Sequence, residues 1–392
     1  MATAEVISIS EQVKDAATQL EIVVNRKELV TELAAAVGVV ETKTTIPILA
    51  NLLLDASNLG DSVRIAATNL SQSLRTSIDA KIKAPGIAAI PARKLYDYVR
   101  LLSGDDVTIR QEENNHVQIR CGRSKTRMVG MSAASFPQIP APEGWGDEFD
   151  GATFLKFIEK TLVSVAREEG RYTLNGALLI VTDEAVEMVS TDGHRLTRIR
   201  KTLTGRSLPA RKLLISRAAL LELQSLLKGG ASSVRIAEDG KHQFFQVGYR
   251  TLASAKLAGT FPNYEAVIPK GYAPGIMLDV PSVAQSLNRC LLFADEKSRQ
   301  VRFSIAEKTL EFSSAAVDLG ETKESIDILG GPKAELAIGY NGEYIRDLLA
   351  MVPSHIEFQF KDNDRPALFT HRTDDGITLE HVVMPMRLGG GK

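Results

Sequence analysis

The sequence predicts an α+β fold made of three similar domains, and the main reason is a slow repeat along the chain. Six amphipathic segments recur at intervals of about 60 residues, a spacing typical of an array of similar units. These segments begin near Asn25, Ala92, Gly151, Ser216, Asp279 and Asn341. Alternating β-branched runs lie between them. Taken two at a time, the repeats give three domains of about 120 residues, within the usual range for a domain.

Each amphipathic segment is predicted to be a helix, because apolar residues three to four positions apart form a stripe on one face while charges occupy the others. The six stripes are Leu29, Leu33 and Val37; Leu95, Val99 and Leu102; Phe154, Ile158 and Leu162; Leu220, Leu223 and Leu227; Val283, Leu287 and Leu291; and Tyr344, Leu348 and Met351.

The runs between the helices are predicted to be half-buried strands, because apolar and polar residues alternate in them and β-branched residues are frequent. Examples are residues 20–24, 107–110, 186–189 and 301–305.

Two proline-containing segments, residues 136–144 and 268–275, interrupt the pattern and are predicted to be linkers, because proline disfavours both helix and sheet. The predicted organisation is a flexible extension, three domains and a flexible tail. Their limits are 1–20, 21–140, 148–270, 275–388 and 389–392.

The composition is that of a soluble globular protein, with 392 residues of which 44% are hydrophobic and 24% charged. No apolar run reaches the roughly 20 residues that a membrane helix needs, and no signal peptide is apparent. Cys121 and Cys290 lie in different predicted domains, which is typical of packing cysteines in a reducing cytoplasm. The net charge of −1 does not itself indicate nucleic-acid binding, so the distribution of charge must decide.

Four short motifs are more specific to this sequence than the repeat of helices and strands. They are Arg171-Tyr172-Thr173-Leu174-Asn175-Gly176, Thr191-Asp192-Gly193-His194-Arg195-Leu196, Phe261-Pro262-Asn263-Tyr264 and the segment 382–388, Val-Val-Met-Pro-Met-Arg-Leu. In this order and spacing the chain resembles the beta subunit of bacterial DNA polymerase III, the sliding clamp. The likeness extends to residues 45–51, 91–94 and 295–297, and it covers the chain from about Leu20 to Leu388.

The resemblance implies three DNA-clamp domains, each with two helices and antiparallel sheets, that form a head-to-tail homodimeric ring around double-stranded DNA. It also implies a non-catalytic processivity factor without cofactor or metal, located in the cytoplasm with the nucleoid and not at a membrane. The expected partners are the polymerase III alpha subunit, the clamp loader, and other DNA polymerases and repair proteins that bind through short linear peptides.

Helix packing supports two chains per ring. Neighbouring helices lie about 8–10 Å apart, so six around a hole would place their axes on a circle only about 17 Å across. Twelve helices give about 34 Å between opposed axes, which leaves roughly 24 Å once helix thickness is removed. A DNA duplex is about 20 Å thick, so two chains can surround it and one cannot.

The resemblance implies DNA contacts at Lys43, Arg93, Tyr172 and Arg217. Glu168 departs from a neutral polar residue that is frequent in the family, so its loop is expected to repel phosphate. The predicted helices also carry basic residues, which suit sequence-independent attraction to phosphate. These are Arg26, Lys27, Arg93, Lys94, Arg100, Lys156, Lys160, Arg217, Arg289 and Arg346. The alternative is that they are ordinary surface charges.

The resemblance also implies an apolar groove for an extended Gln-x-x-Leu-Phe-like peptide between the middle and last domains. The matching residues are Arg171, Leu174, Thr191, Gly193, His194, Arg195, Leu196, Pro262, Val267, Asn341, Tyr344, Pro366, Val382, Met384, Pro385, Met386 and Arg387. Apolar walls suit aliphatic and aromatic side chains, and methionines adapt to different partners. Thr173 replaces a residue that is often aromatic. The alternative is that Met384–Met386 is part of a terminal core strand.

For the dimer interface, the resemblance implies Arg123, Lys125 and Met128 in the first domain and Leu292 and Phe293 in the third. The acids Asp318, Glu321 and Glu324 would complement these cations. Two patches of opposite charge on one chain favour head-to-tail pairing of two copies. Thr126 replaces a frequently large apolar residue. The alternative is that these charges merely protect an edge strand from aggregation.

Two other functions remain to be weighed. Asp192 and His194 could belong to a hydrolase, since a histidine beside an acid can act as a general base. No metal-binding His or Cys spacing accompanies them, and Asp and Gly in such a run usually serve a turn. The third possibility is a monomeric scaffold that does not bind DNA.

Overall fold

The computed structural model describes residues 19–41, 43–57, 60–146, 148–167, 172–203, 210–332 and 335–388. The predicted extension up to residue 18, the predicted tail 389–392, and the predicted site residues Glu168 and Arg171 lie outside the described residues.

The helices confirm the repeat. The described residues contain six α-helices, α1 Arg26–Val39, α2 Ala92–Val99, α3 Gly151–Thr161, α4 Arg217–Lys228, α5 Val280–Leu291 and α6 Gly342–Leu349. Each begins at or one residue after its predicted start. None of these helices is long and apolar enough to cross a membrane.

Local capping explains several of these starts. The side chain of Asn25 accepts a hydrogen bond from the Lys27 amide at 2.9 Å, and Asp279 accepts one from the Ser282 amide at 3.0 Å. Asn341 caps α6 in the same way through the Glu343 amide. Such caps satisfy amides that have no partner within the helix, so the sequence specifies each start locally.

The predicted stripes extend too far at three helix ends. Leu102, Leu162 and Met351 lie beyond α2, α3 and α6. After α2 the chain continues in tight turns, with the Leu102 amide bonded to the Val99 carbonyl at 3.2 Å. Leu102 and Met351 are nevertheless buried, so the apolar pattern reports burial correctly while the helix has already ended.

The strands of the described residues pair in antiparallel fashion and form three sheets. They are β1 Glu21–Asn25, β2 Asn51–Asp55, β3 Ser62–Thr68, β4 Gln72–Ala84, β5 Ile87–Pro91, β6 Asp106–Gln111, β7 His116–Cys121, β8 Ser124–Val129, β9 Glu148–Asp150, β10 Gly176–Val181, β11 Ala185–Thr191, β12 Arg195–Thr202, β13 Arg211–Ser216, β14 Ser233–Glu238, β15 His242–Val247, β16 Arg250–Ala255, β17 Ile276–Asp279, β18 Gln300–Ala306, β19 Thr309–Ala316, β20 Gly320–Asp327, β21 Leu336–Asn341, β22 His355–Gln359, β23 Ala367–Arg372 and β24 Ile377–Val383. All four strand runs predicted from the sequence are confirmed.

The chain divides into two compact units. The first contains residues up to Leu155 together with Ala218–Lys256. It holds a 12-stranded sheet with the order β8-β7-β6-β1-β4-β16-β15-β14-β9, to which β2, β3 and β5 are attached. Within it β4 and β16 are paired from Arg75 opposite Thr251 to Gln72 opposite Ser254, so strands far apart in the sequence share one sheet.

The second unit contains Lys156–Arg217 and the residues from Leu257 onward. Its larger sheet has the order β13-β10-β11-β12-β24-β23-β22-β17, and its smaller sheet has the order β20-β19-β18-β21. Aromatic rings fill the core beside the smaller sheet. The Phe303 ring lies 4.8 Å from Phe312 and 5.2 Å from Tyr340 in edge-to-face contacts, which are favourable for aromatic pairs.

A buried acid joins distant parts of the first unit. Glu32 of α1 is 1% exposed, and its carboxylate accepts hydrogen bonds from the Arg250 guanidinium at 2.8 and 2.5 Å. Tyr249 and Thr76 donate to the same carboxylate at 3.0 and 2.6 Å. These donors outweigh the effect of burial and lower the pKa of Glu32. A fully bonded carboxylate of this kind is stable only while its partners stay in place.

Glu222 of α4 is also buried, but its surroundings are different. A methyl group on Gly38 of α1 would lie 2.3 Å from one carboxylate oxygen, so only glycine lets this carboxyl group approach the helix. The other oxygen, Oε1, is buried with no hydrogen-bond partner among the described residues. Burial raises the pKa of Glu222 to about 7.

We predict that Glu222 makes the stability of the first unit depend on pH. Because the folded pKa lies above the ordinary value of 4.5, the folded chain retains a proton that the unfolded chain has lost. The contribution of Glu222 to the free energy of unfolding should therefore be fully present below about pH 4.5 and be lost as the pH rises to about 7. Glu222→Gln, which mimics the protonated form, should raise the free energy of unfolding at pH 8 by about 2 to 3 kcal/mol in urea titrations.

The matched control is Glu41→Gln, which removes an exposed carboxyl group that follows α1. It should leave the pH profile of the urea midpoint unchanged. Equal profiles for wild type and Glu222→Gln between pH 5 and 8 would show that the buried carboxyl group does not titrate in this range.

Candidate functional site

The candidate site is built around the turn between β11 and β12. Thr191 ends β11, and its hydroxyl group donates to the Arg195 carbonyl at 2.7 Å. One oxygen of Asp192 accepts hydrogen bonds from the backbone amides of His194 and Arg195, each at 3.0 Å. The Asp-Gly sequence therefore serves a tight turn, as the pattern predicted.

Gly193 completes this turn in a left-handed conformation, with φ at 90°. A side chain at this φ is strained, because a Cβ atom would crowd the backbone. The Gly193 amide donates to the Thr191 hydroxyl at 3.1 Å, which holds the exposed tip of the turn in place.

Arg195 links the turn to helix α6. Its Nε atom donates to Asp192 at 3.1 Å, and its Nη1 atom donates to Asp347 at 2.8 Å. The guanidinium carbon lies 4.4 Å from the centre of the Tyr344 ring, within the range of a cation–π interaction. The His194 ring stacks on the same Tyr344 ring, with 6.4 Å between the ring centroids.

An apolar cluster lies beneath the neighbouring surface. Its buried members are Ile180, Val189, Leu196, Phe261, Ile268, Leu368 and Val382. Leu196 and Val382, both predicted groove residues, are only 1% exposed and thus support the surface from below. Val267 and Met384 are 43% and 41% exposed, so they present apolar surface to solvent.

The segment after β24 crosses from the larger sheet to the smaller one. The Met384 amide donates to the His194 carbonyl at 3.0 Å, and the Met386 amide donates to the Gly339 carbonyl at 2.8 Å. Since β24 ends at Val383, Met384–Met386 is not the terminal core strand considered as an alternative. Pro385 and Met386 are half-buried, and Arg387 is exposed.

The remaining predicted groove residues occupy varied positions. Leu174 is half-buried just before β10, and Pro262 is exposed just after the buried Phe261. Pro366 precedes β23, and its carbonyl accepts a hydrogen bond from the Tyr272 hydroxyl at 2.9 Å. Asn341 uses its side-chain oxygen to cap α6.

A recess of about 410 Å³ opens beside the His194–Tyr344 pair. It is lined by Val165, Ala166, Arg167, Asp192, His194, Arg195, Glu343, Tyr344, Arg346 and Asp347. Burial raises the pKa of Tyr344, so its hydroxyl group stays protonated at neutral pH. Five of these lining residues, Val165, Ala166, Arg167, Glu343 and Asp347, are not among the residues predicted from the sequence, and Asp347 is the one that a local signal could have found. It lies three positions after Tyr344, so the helical period places it on the same side of α6.

A buried polar chain lies behind the site. The Ser164 hydroxyl contacts that of Thr197 at 2.7 Å, and Thr197 contacts Nδ1 of His381 at 2.8 Å. Burial lowers the pKa of His381 to about 3, so this imidazole is neutral at physiological pH.

The hydrolase alternative depended on Asp192 acting on His194. The carboxylate of Asp192 instead accepts from two backbone amides and from Arg195, while the His194 ring faces Tyr344. In the described part of the chain no group of three or more His, Cys, Asp or Glu side chains could hold a metal ion. The geometry of the pair is that of a turn.

The residues predicted for self-association lie at two sheet edges. β8 ends the first sheet and β20 ends the smaller sheet of the second unit. Arg123 and Lys125 are exposed at the start of β8, and Met128 is half-buried. Leu292, directly after α5, is 71% exposed, whereas Phe293 is half-buried. Glu324 of β20 is bonded to Arg289 at 2.5 Å.

The residues predicted to contact DNA differ in how exposed their side chains are. Lys43 and Arg93 are exposed, and the side chain of Tyr172 lies outside the described part of the structure. Arg217 is half-buried at the start of α4, and its Nε atom is buried without a hydrogen-bond partner among the described residues. Most of the other helix cations are engaged within the chain, namely Arg26, Arg100, Lys156, Lys160, Arg289 and Arg346.

Comparison with known proteins identifies the family. Models of the N-terminal, central and C-terminal domains of the DNA polymerase III beta subunit match residues 20–140, 148–263 and 265–387. The beta sliding clamp of Pseudomonas putida is 30% identical over 372 residues, covering 93% of this chain and 99% of the relative. The chain belongs to the bacterial beta sliding clamp family. The beta sliding clamp of Escherichia coli K12 is 29% identical over 376 residues, covering 94% of this chain and all of the relative.

Solved clamp structures share the fold. The Pseudomonas aeruginosa clamp bound to griselimycin superimposes with a TM-score of 0.87 at 28% identity, over 94% of this chain and 100% of that one. Each matched clamp segment contains two of the six described helices, as α1 and α2 lie in 20–140. The predicted family, α+β class, three-domain organisation and function as a sliding-clamp processivity factor are therefore confirmed. The individual site residues and the domain limits stay predictions.

We predict that Gly193→Ala destabilises this clamp, because an alanine must adopt the left-handed φ of the turn. The free energy of unfolding of the second unit should fall by about 1 kcal/mol, measured by urea denaturation. Gly240→Ala is the matched control, since Gly240 also lies in a turn but nothing within 4 Å would meet its Cβ and its φ is not left-handed. An equal loss in both variants would show that the conformation of Gly193 carries no special cost.

Proposed function

We propose that the chain forms a head-to-tail homodimeric ring around double-stranded DNA. The ring holds the polymerase III alpha subunit, the clamp loader, and other polymerases and repair proteins through short peptides. It acts in the bacterial cytoplasm, at the nucleoid, and without catalysis of its own. The observation that supports this proposal most is the match of all three beta-subunit domain models along one chain. Tethering raises the effective concentration of a polymerase at the DNA, since a bound polymerase cannot diffuse away between nucleotide additions.

The two sheet edges support the head-to-tail contact. An edge strand exposes unpaired backbone groups and can pair with a strand of another chain. The β8 sequence Ser-Lys-Thr-Arg-Met-Val is cationic, whereas the β20 sequence Gly-Glu-Thr-Lys-Glu-Ser-Ile-Asp is acidic overall. We propose that β8 of one copy pairs with β20 of the other, and that Leu292 adds apolar contact. Two identical contacts of this kind close a ring.

The groove supports partner binding. Exposed Val267 directly precedes Ile268 of the buried apolar cluster, and exposed Met384 follows β24, which contributes Val382 to the same cluster. The Met384 amide also donates to the His194 carbonyl of the turn. We propose that the Leu and Phe side chains of the peptide pack on this surface. The polar end of the peptide would lie toward His194, Asn341 and Arg387. Concave apolar surfaces with a few fixed polar groups are typical of ligand sites.

The ring predicts that retention on DNA depends on topology. When the clamp is loaded on nicked circular DNA by its loader, it should stay bound during gel filtration and leave once the circle is cut. Arg123→Glu combined with Lys125→Glu should shift the protein toward monomer in sedimentation and abolish retention, because like charges would then face each other.

Lys270→Glu combined with Arg372→Glu is the matched control, because both side chains are exposed and lie outside β8 and β20. This variant should remain a dimer and remain on circles. Equal dissociation of the wild type from linear and circular DNA would exclude the topological mechanism. An unaltered dimer in the Arg123 and Lys125 variant would exclude the proposed interface.

For the groove, we predict that Leu174→Ala combined with Met384→Ala weakens the binding of a synthetic Gln-x-x-Leu-Phe peptide. The binding free energy measured by calorimetry should become less favourable by about 2 to 4 kcal/mol. Truncation of central apolar contacts commonly costs this much. The control pair is Met277→Ala with Leu329→Ala, which removes side chains that are 37% and 54% exposed outside the groove. If both pairs bind the peptide as the wild type does, the peptide does not occupy this surface.

A further inference from the structure

Arg195 is placed to organise the groove rather than to touch a ligand. Its side chain is only 7% exposed, and both Nε and Nη1 already donate to carboxylates. The Tyr344 ring covers its guanidinium at 4.4 Å. A buried guanidinium with these partners has little freedom to leave them, because the carboxylates would then remain without their counterion.

We propose that Arg195 is the positioning residue of the peptide groove, and this inference rests on the function proposed above. Arg195 lies in the segment matched by the central clamp domain, whereas Tyr344 and Asp347 lie in the segment matched by the C-terminal domain. A single side chain thus fixes the turn on one border of the groove to the helix on the other. It acts on a peptide through the residues that it holds in place, not through a contact of its own.

The bonds around the turn show how this effect is transmitted. One oxygen of Asp192 accepts a hydrogen bond from the Arg195 side chain, and the other oxygen accepts hydrogen bonds from two backbone amides of the turn. The carbonyl of His194 in turn accepts a hydrogen bond from the amide of Met384. Arg195 therefore fixes the turn that holds the start of the crossing segment, and it also fixes the ring against which His194 stacks.

Arginine is specifically suited to this position. Its planar, forked donors reach two carboxylates in different directions while its face packs on an aromatic ring. Lysine keeps the charge but offers a single ammonium group. It can therefore replace one carboxylate contact, but it cannot restore the planar group that stacks on the ring and donates to both carboxylates. Without a cation, Asp192 and Asp347 would face each other across an empty position. These two carboxylates are 18% and 33% exposed, so solvent would screen them only in part.

The test is a double-mutant cycle on affinity for the Gln-x-x-Leu-Phe peptide. Arg195→Gln should weaken binding about 10-fold, and Arg195→Lys should recover part of that loss. Asp347→Asn should weaken binding about 3-fold through loss of the same link. The double variant should be no weaker than Arg195→Gln alone, because the residues act as one unit. An unchanged affinity in Asp347→Asn, or effects that multiply, would overturn the proposal and assign Arg195 a direct contact instead.

Arg198→Gln is the matched control. Arg198 lies on the same strand, is partly buried and pairs with Glu380, but it is not among the residues of the turn or recess. Its substitution should affect stability without changing peptide affinity. Equal weakening in Arg195→Gln and Arg198→Gln would show a general loss of fold and contradict a positioning role.

Hydrogen exchange of the free protein separates failure of this inference from failure of the proposed function. Arg195→Gln should speed exchange of the His194 and Met384 amides at least 10-fold, whereas Arg198→Gln should not. If the wild type binds no peptide, the proposed function fails, although faster exchange would still support the link. If the peptide binds and exchange is unchanged in Arg195→Gln, the positioning role is wrong.

Discussion

The pairing of β12 with β24 is the constraint on which the proposed groove depends. Seven residue pairs run from Arg195 opposite Val383 to Lys201 opposite Ile377. This register places Leu196 beside Val382 in the buried cluster and brings the end of β24 to the turn at His194. Because side chains alternate across a sheet, a shift of one residue would move the buried side chains to the opposite face. The pairing also joins segments that belong to different clamp domains.

Much of the fold could be predicted because its signals are local. The helix starts follow from caps such as Asn25 and Asp279, and the apolar period identifies the buried face. The helix ends are harder, since Leu102 and Met351 continue the apolar period after the helix has stopped. Strand existence could likewise be predicted from alternation. Which strands pair could not, because the contact of β4 with β16 joins residues more than 170 positions apart and leaves no local pattern.

The site could be predicted mainly through its resemblance to the family, and the structure changes how its members are understood. The motif around Arg195 predicts a turn, but a charged residue gives no sign in the sequence that it will be buried. Glu32 and Glu222 illustrate the same limit, as one is fully bonded and the other retains an orphan oxygen. Both lie in amphipathic helices, where the pattern predicts charge on the solvent face. Tertiary partners, which no local window contains, determine their ionisation.

The basic residues of the helices show why a count of charges overstates their effect. Lys156 pairs with Asp375 at 2.7 Å, and the Lys160 ammonium group donates to the Met351 carbonyl. Burial also lowers the pKa of Lys160. Lys27, Arg93 and Lys94 are exposed on helices of the first unit. Pairing within the chain leaves fewer helix cations to displace counterions from DNA, so the attraction expected from these helices is weaker and less dependent on salt than their charge count suggests. Weak attraction of this kind permits sliding, and retention must then come from closure of the proposed ring.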